Sequence, residues 1–368
     1  MQPKRVIVPY TGTEIGGSHI SSFTLCRALQ DLGIEVFAYA NKDTQIAHEA
    51  ARYDLTVREL SETPAARHNL AYDLLRLPFR AHMLRQEGPG IIVHCHGMGA
   101  LQSWGPAAKL VGAPLVYHNR AFNRPILANR LIMNLADKSI AISESVKKIM
   151  AFLPAGKVET IDNPFALGGI PNRSEERQKL VNELDLAAEG PIIGFVANFW
   201  ERKRPFFFLD VCKVILERHP LASFVMFGRK GDVAVSAIKD YARQIGIADH
   251  LHLPGFRLPV ESNIAALDLM LAPAINEPLG RTPIESLLLG TPYVATDDAG
   301  HGEIGRRWAG GRLVDKAADY PAFAAVALDV LDHPASVLLK EDKKLEITHA
   351  LSAANHATKV VELYSRLL

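Results

Sequence analysis

The sequence predicts an α/β protein made of two Rossmann-like parallel-sheet domains facing a central cleft, and three observations predict it. The chain has 368 residues, long for one domain and enough for two that each bury a core. Strand-length apolar runs alternate with amphipathic helical patterns twice over. Between the two series, residues 166–190 are rich in Gly, Asn, Glu and Arg and carry no strand signal, as a linker followed by a surface helix would.

In the first series the strand runs are residues 5–10, 35–40, 91–95, 114–118, 139–142 and 158–161. Gly16 and Gly17 follow the first run and precede a helix beginning near Ser18, so backbone amides there can approach a phosphate or sugar without side-chain obstruction. The second series is 192–197, 222–227, 251–253, 268–271 and 293–296, and residues 352–368 return to helical spacing. The domain limits read from this are 1–165, 166–350 and a terminal helix over 351–368. In parallel α/β sheets ligands sit outside the strand carboxyl ends, which places the expected site between the domains.

Composition narrows the class. With 48% hydrophobic and 22% charged residues the chain reads as an ordinary globular protein, and a net charge of +1 gives no global attraction to nucleic acid. Cys26, Cys95 and Cys212 are scattered and odd in number, which fits a reducing compartment. No apolar run reaches transmembrane length, so the expected location is cytoplasmic.

Residues 267–304 are the most informative. An apolar strand leads through Glu277 and Gly280 into a helix for which Pro283 suits the first position and Gly290 the stop. A helix start at a strand's carboxyl end favours phosphate. Glu277 and Glu285 would repel phosphate, and acceptor-only carboxylates are suited to paired hydroxyls of a sugar or ribose. Diphosphate flanked by two polyols is a nucleoside-diphosphate sugar. A plainer reading makes Thr282 and Glu285 a capping box.

The string Glu277-Pro278-Leu279-Gly280-Arg281, with Glu285, Gly290-Thr291-Pro292 and Gly302-Glu303-Ile304, resembles the signature of retaining family-4 glycosyltransferases of the GT-B fold. That resemblance implies transfer of a sugar with retention of configuration to a glycan, lipid-linked or lipopolysaccharide-type acceptor, without cofactor or metal. It also implies that the terminal helix crosses back onto the first domain. Glu277 would hold hydroxyls of the transferred sugar, Glu285 the ribose, and Lys203 the diphosphate, with Leu279, Gly280 and Arg281 lining the donor site and Gly16 and Gly17 facing it. Catalysis would rest on His118, Glu277 and Lys203. The family's diphosphate-binding arginine is replaced here by Asn198, which removes one charge-assisted bond that Arg202, Arg204 or Arg281 would have to supply.

Other classes are distinguishable. The first loop, residues 11–17, lacks Gly-x-Gly-x-x-Gly, which argues against a nicotinamide enzyme. A GT-B sugar-nucleotide epimerase and a catalytically weak sugar-nucleotide-binding protein stay as alternatives. His94 and His96 share a strand face, but no further ligand is visible near them, so no metal site is predicted. Asp297-Asp298 reads as a turn. Residues 65–87 place Arg67, Arg76, Arg80 and Arg85 among leucines, interrupted at Pro78, a pattern compatible with peripheral contact with anionic membrane.

Overall fold

The computed structural model describes every residue except 1–2, 14, 16, 62–69, 124–125 and 166. The chain forms two compact units, Met1–Ala166 with His349–Leu368, and Leu167–Thr348. Each is built on one parallel sheet.

The first unit contains β1 (Arg5–Pro9), β2 (Glu35–Asn41), β3 (Thr56–Leu60), β4 (Ile91–His96), β5 (Leu115–Asn119), β6 (Lys138–Ala141) and β7 (Val158–Thr160). Their spatial order is β3-β2-β1-β4-β5-β6-β7. The second contains β8 (Ile192–Val196), β9 (Ser223–Phe227), β10 (Leu251–Gly255), β11 (Leu269–Ala272), β12 (Tyr293–Asp297) and β13 (Arg312–Asp315), in the order β10-β9-β8-β11-β12-β13. Central strands such as β5 and β9 are buried at every residue, because helices cover both faces of a parallel sheet.

Two strands escape the sequence reading, β3 and β13. Both lie at sheet edges and carry charged residues, Arg58 and Glu59 in one, Arg312 and Asp315 in the other. An edge strand buries little, so its sequence has no apolar run to report.

The helix Leu70–Gln86 runs unbroken through Pro78, where an interruption is expected. Pro78 and Leu74, whose carbonyl loses its helical partner, are both exposed, so solvent can take that carbonyl. The expected basic face holds only in part: Arg85 is exposed and Arg76 half-buried, whereas Arg80 is buried and donates to Asp73 at 2.8 Å and to the Ser103 carbonyl at 2.8 Å. Arg67 lies outside the described residues. The helix leaves Leu74 and Leu75 exposed, at 58% and 76%, and with them the polar residues His82, Arg85 and Gln86. Among the described residues no single helix is long and apolar enough to cross a membrane.

The last helix, Ala353–Ser365, starts at Ser352, whose hydroxyl accepts from the Asn355 N–H at 3.2 Å. Its Ala357, Val360, Leu363 and Tyr364 join the core formed by Val6, Val8, Val36 and Ile92, so the segment belongs to the first unit. Leu363 is fully buried. Leu363→Ala is expected to destabilise this unit by about 2–5 kcal/mol. The measurement is urea unfolding followed by hydrogen exchange in β1 and β4, where unchanged protection would show that the helix is not part of that core.

Candidate active site

In the second sheet the strand order reverses between β8 and β11, which pair in parallel. Loops leaving the carboxyl ends of two such strands diverge to opposite faces and open a crevice between them. The first loop carries Lys203 and the second Glu277. Lys203 Nζ lies 2.7 Å from Glu277 Oε2, and the Arg202 guanidinium pairs with the same oxygen. Two cations thus meet one carboxylate.

Backbone bonds fix the second loop on three sides. The Ile275 N–H donates to the Arg202 carbonyl at 2.9 Å, the Gly300 N–H to the Glu277 carbonyl at 2.8 Å, and the Asn276 N–H to the Asp298 carboxylate at 2.6 Å. Asp298 is therefore more than a turn residue; it stands at the start of the helix Ala299–Trp308 and braces the neighbouring loop. Gly280 has φ +91°, and a Cβ there would come within 2.8 Å of the His301 ring. A Cβ on Gly300 would lie 2.5 Å from the Leu279 backbone, so loop and helix touch main chain to main chain. Buried Leu279 forms the floor of that contact.

The helix following Gly280 spans Arg281–Leu289 and ends at Gly290 in the left-handed region. Its cap is Gly280, with no side-chain cap bond, so Thr282 is already inside the helix and the capping box does not form. Pro283 falls at the third helical position, where its missing N–H is still one of the unpaired ones. Glu285 is buried and pairs with Arg281 at 3.6 Å. Burial raises its carboxyl above the ordinary range, opposed by Arg281. For Glu277 burial also pushes upward, but Lys203 and Arg202 outweigh it and hold the group ionised.

The Asn198 Oδ1 accepts from the Arg229 N–H at 3.2 Å, so the carboxamide ties its loop to the one after β9. Arg204 stacks its guanidinium 3.6 Å from the Phe207 ring centroid. Of the arginines that could replace the family's, Arg202 is the one seen to pair with Glu277 among the described residues.

His301 is a residue the sequence reading missed. It is buried beside Gly280, and burial lowers its pKa to about 4, with Glu277 acting in the opposite sense. Its signal was the bracketing of one histidine by Gly300 and Gly302 at a helix start.

In the first unit Gly17 opens the helix Gly17–Asp31, is exposed and has no atom within 4 Å of where its Cβ would be. Gly16 lies outside the described residues. His118 sits on β5, directly opposite His96 of β4. With His94 they form a stack whose ring centroids are 4.3 Å (His94 to His96), 5.1 Å (His96 to His118) and 5.5 Å (His94 to His118) apart. The expectation that nothing stands near His94 and His96 is therefore wrong: a nitrogen from each of the three rings lies within 4.8 Å of the others. The pairing of β4 with β5 creates this proximity, and residue spacing does not reveal it. The set is compatible with a transition-metal ion by ligand type, but the Arg120 Nη2 donates to His96 Nδ1 at 3.2 Å and His118 Nδ1 at 3.4 Å.

Three further side chains complete the cluster without any sequence signal. Arg120 also donates to Asn163 Oδ1. His356 stacks 5.7 Å from His118 and its Nδ1 meets the Asp162 carbonyl at 2.6 Å, while the Tyr364 hydroxyl meets His94 Nδ1 at 2.5 Å. Burial, assisted by Arg120 and the neighbouring rings, holds His94, His96 and His118 well below the usual histidine range. Burial takes His356 to about 3.

Comparison with known proteins gives a consistent result. Residues 15–167 match the profile of the family described as Glycosyltransferase Family 4, and residues 176–346 that of Glycosyl transferases group 1. The Escherichia coli UDP-Gal:alpha-D-GlcNAc-diphosphoundecaprenol alpha-1,3-galactosyltransferase is 20% identical over 74% of each chain. D-inositol 3-phosphate glycosyltransferase 2 of Catenulispora acidiphila is 24% identical over 97% of this chain and 91% of its own. In fold, the chain is similar to Anabaena HepE in complex with UDP and glucose, at TM-score 0.82 and 18% identity over 99% of both.

The buried histidines set a pH dependence. In the unfolded chain they take up protons near pH 6.5, whereas folded His301 stays neutral to about 4 and His356 to about 3. Below pH 6.5 the unfolded state therefore binds more protons, and stability present above that pH is lost as pH falls toward 4. Each such group steepens the loss by up to about 1.4 kcal/mol per pH unit. Urea unfolding at pH 7.5 and at pH 5 checks this; equal stabilities would show that these rings accept protons in the folded protein.

Proposed function

Because this chain belongs to the family-4 glycosyltransferases of the GT-B fold, we propose that it transfers a sugar from a nucleoside-diphosphate sugar to a glycan, lipid-linked or lipopolysaccharide-type acceptor with retention of configuration. The observation that carries the reading is the meeting of Lys203 and Glu277 at 2.7 Å where the strand order reverses. Departure of a nucleoside diphosphate develops negative charge on the leaving group, and fixed cations stabilise it most where water is excluded. Lys203 has three N–H donors and spends one on Glu277, leaving two for diphosphate oxygens. The free N–H groups at the start of the Arg281–Leu289 helix, after Gly280, add to that field.

In this reading Glu277 has two roles. It orients Lys203, and its remaining lone pairs accept from hydroxyls of the transferred sugar. Glu285, whose charge partner is Arg281 at 3.6 Å, accepts from the ribose hydroxyls with its remaining lone pairs. His118 contacts the transferred sugar, and Gly17, with no atom within 4 Å of where its Cβ would be, leaves room for donor and acceptor. With Lys203 and Arg202 supplying positive charge, the transfer needs no divalent cation.

A second reading, a sugar-nucleotide-binding protein with weak turnover, is favoured by one observation. The Asn198 carboxamide oxygen is already engaged by the Arg229 N–H, where the family has a diphosphate-binding arginine.

Both readings are separated by titrating UDP-, GDP- and ADP-sugars in EDTA and following turnover and anomeric configuration by NMR. One donor is expected to bind and turn over with retention. Binding without turnover supports the second reading, and strict dependence on manganese or magnesium removes the metal-independent mechanism. Lys203→Ala is expected to weaken nucleotide binding by about 1.5–3 kcal/mol, the scale of a hydrogen bond to a charged group. Unchanged affinity would remove Lys203 from the diphosphate.

The acceptor follows from less. The Escherichia coli relative's name specifies a lipid-linked acceptor, and here Leu74 and Leu75 stand exposed beside Arg76 on one helix. This supports peripheral contact of that helix with anionic membrane. Leu75→Asp is expected to reduce sedimentation with phosphatidylglycerol vesicles at low salt; absence of wild-type sedimentation would overturn the membrane contact.

A further inference from the structure

We propose that Arg120 is a positioning residue that fixes His118, and His96 with it, as Nε2–H tautomers, so that His118 meets its ligand as a hydrogen-bond donor. A guanidinium donates and cannot accept. The Arg120 Nη2 carries two hydrogens and stands 3.2 Å from His96 Nδ1 and 3.4 Å from His118 Nδ1, one hydrogen for each ring. Burial lowers Arg120 only to about 9, so it stays charged at neutral pH. Both rings are neutral, for the reasons given above. A neutral imidazole whose Nδ1 accepts must carry its proton on Nε2.

The cluster contains its own contrast. His356 places Nδ1 against the Asp162 carbonyl, which can only accept, so that ring is the Nδ1–H tautomer with its lone pair on Nε2. His94 faces a hydroxyl and is fixed by neither. The Nε2 atoms of His96 and His118 are buried with no partner among the described residues, two N–H donors whose desolvation is relieved when an oxygen reaches them.

The chemical consequence is specific. With Nδ1 engaged by Arg120, His118 cannot take a proton at Nε2, and it binds the lone pair of a hydroxyl or an anionic oxygen. Assigning that oxygen to the transferred sugar rests on the function proposed above. The tautomer does not. Asn163, which accepts from Nη1, holds the guanidinium in place.

The test is long-range ¹H–¹⁵N NMR of histidine-labelled protein, with the His118 signal assigned by its loss in His118→Gln. Wild-type His118 is expected to show a protonated Nε2 and an unprotonated Nδ1. Arg120→Met is expected to release the ring into a mixture containing the Nδ1–H form and to lower kcat by about tenfold or more, with nucleotide Kd unchanged. Arg120→Lys, which keeps a donor, is expected to restore part of both. An Nδ1–H signal at His118 in the wild-type protein overturns the proposal whatever the activity, and that measurement stands even if Arg120→Met does not fold. An Nε2–H signal in a protein that turns over no nucleotide sugar supports the tautomer assignment and instead defeats the proposed function.

Discussion

Parallel strand pairing is the constraint on which the rest depends. A parallel sheet is covered by helices on both faces, so its strands become near-continuous apolar runs with little room for polar groups along their length, buried His94 of β4 being an exception. Polar groups are left to the strand ends and the loops beyond them. The candidate residues obey this in both units: Lys203 and Glu277 lie in loops after β8 and β11, and His96, His118 and Arg120 lie at or just past the ends of β4 and β5.

The two units solve the resulting positioning problem differently. In the second, accuracy comes from backbone contact: glycines at 280 and 300 let a loop and a helix approach without side chains between them, and three N–H bonds fix the loop that bears Glu277. In the first, it comes from stacked rings and a single guanidinium. Both devices limit side-chain freedom before a ligand arrives, which is how preorganisation lowers the entropy cost of binding. They differ in what a substitution would disturb. Altering Gly280 strains the main chain, whereas altering Arg120 changes where a proton resides.

Much of the fold was legible because buried strands announce themselves. The runs containing Val6, Val36, Ile92, Val116 and Ile140, and those containing Ile193, Val225, Met270 and Val294, match strands to within a residue or two at their ends. Edge strands β3 and β13 were silent because little of either is buried. At the candidate site, Lys203 and Glu277 were visible through a long motif, but their meeting across more than seventy residues depends on which strands are neighbours. Arg120, Asn163, His356 and Tyr364 carried no usable spacing, and for His301 the flanking Gly300 and Gly302 were the one local cue. Each becomes informative only once tertiary packing removes it from water, and a single sequence does not encode burial of an isolated polar residue in any local pattern.

The first unit is discontinuous in sequence. Its last helix, bearing His356 and Tyr364, is separated from the strands it completes by the entire second unit, Leu167–Thr348. During synthesis the ribosome must therefore deliver a complete second domain before the first can close its core or dehydrate its histidines. Until then the side of that core where Ala357, Val360 and Leu363 pack, against the helix Gly17–Asp31, lacks its native cover. The chain order makes the donor-side candidate unit the earlier one to mature, and leaves the histidine-bearing unit exposed to misassembly for the longer part of translation.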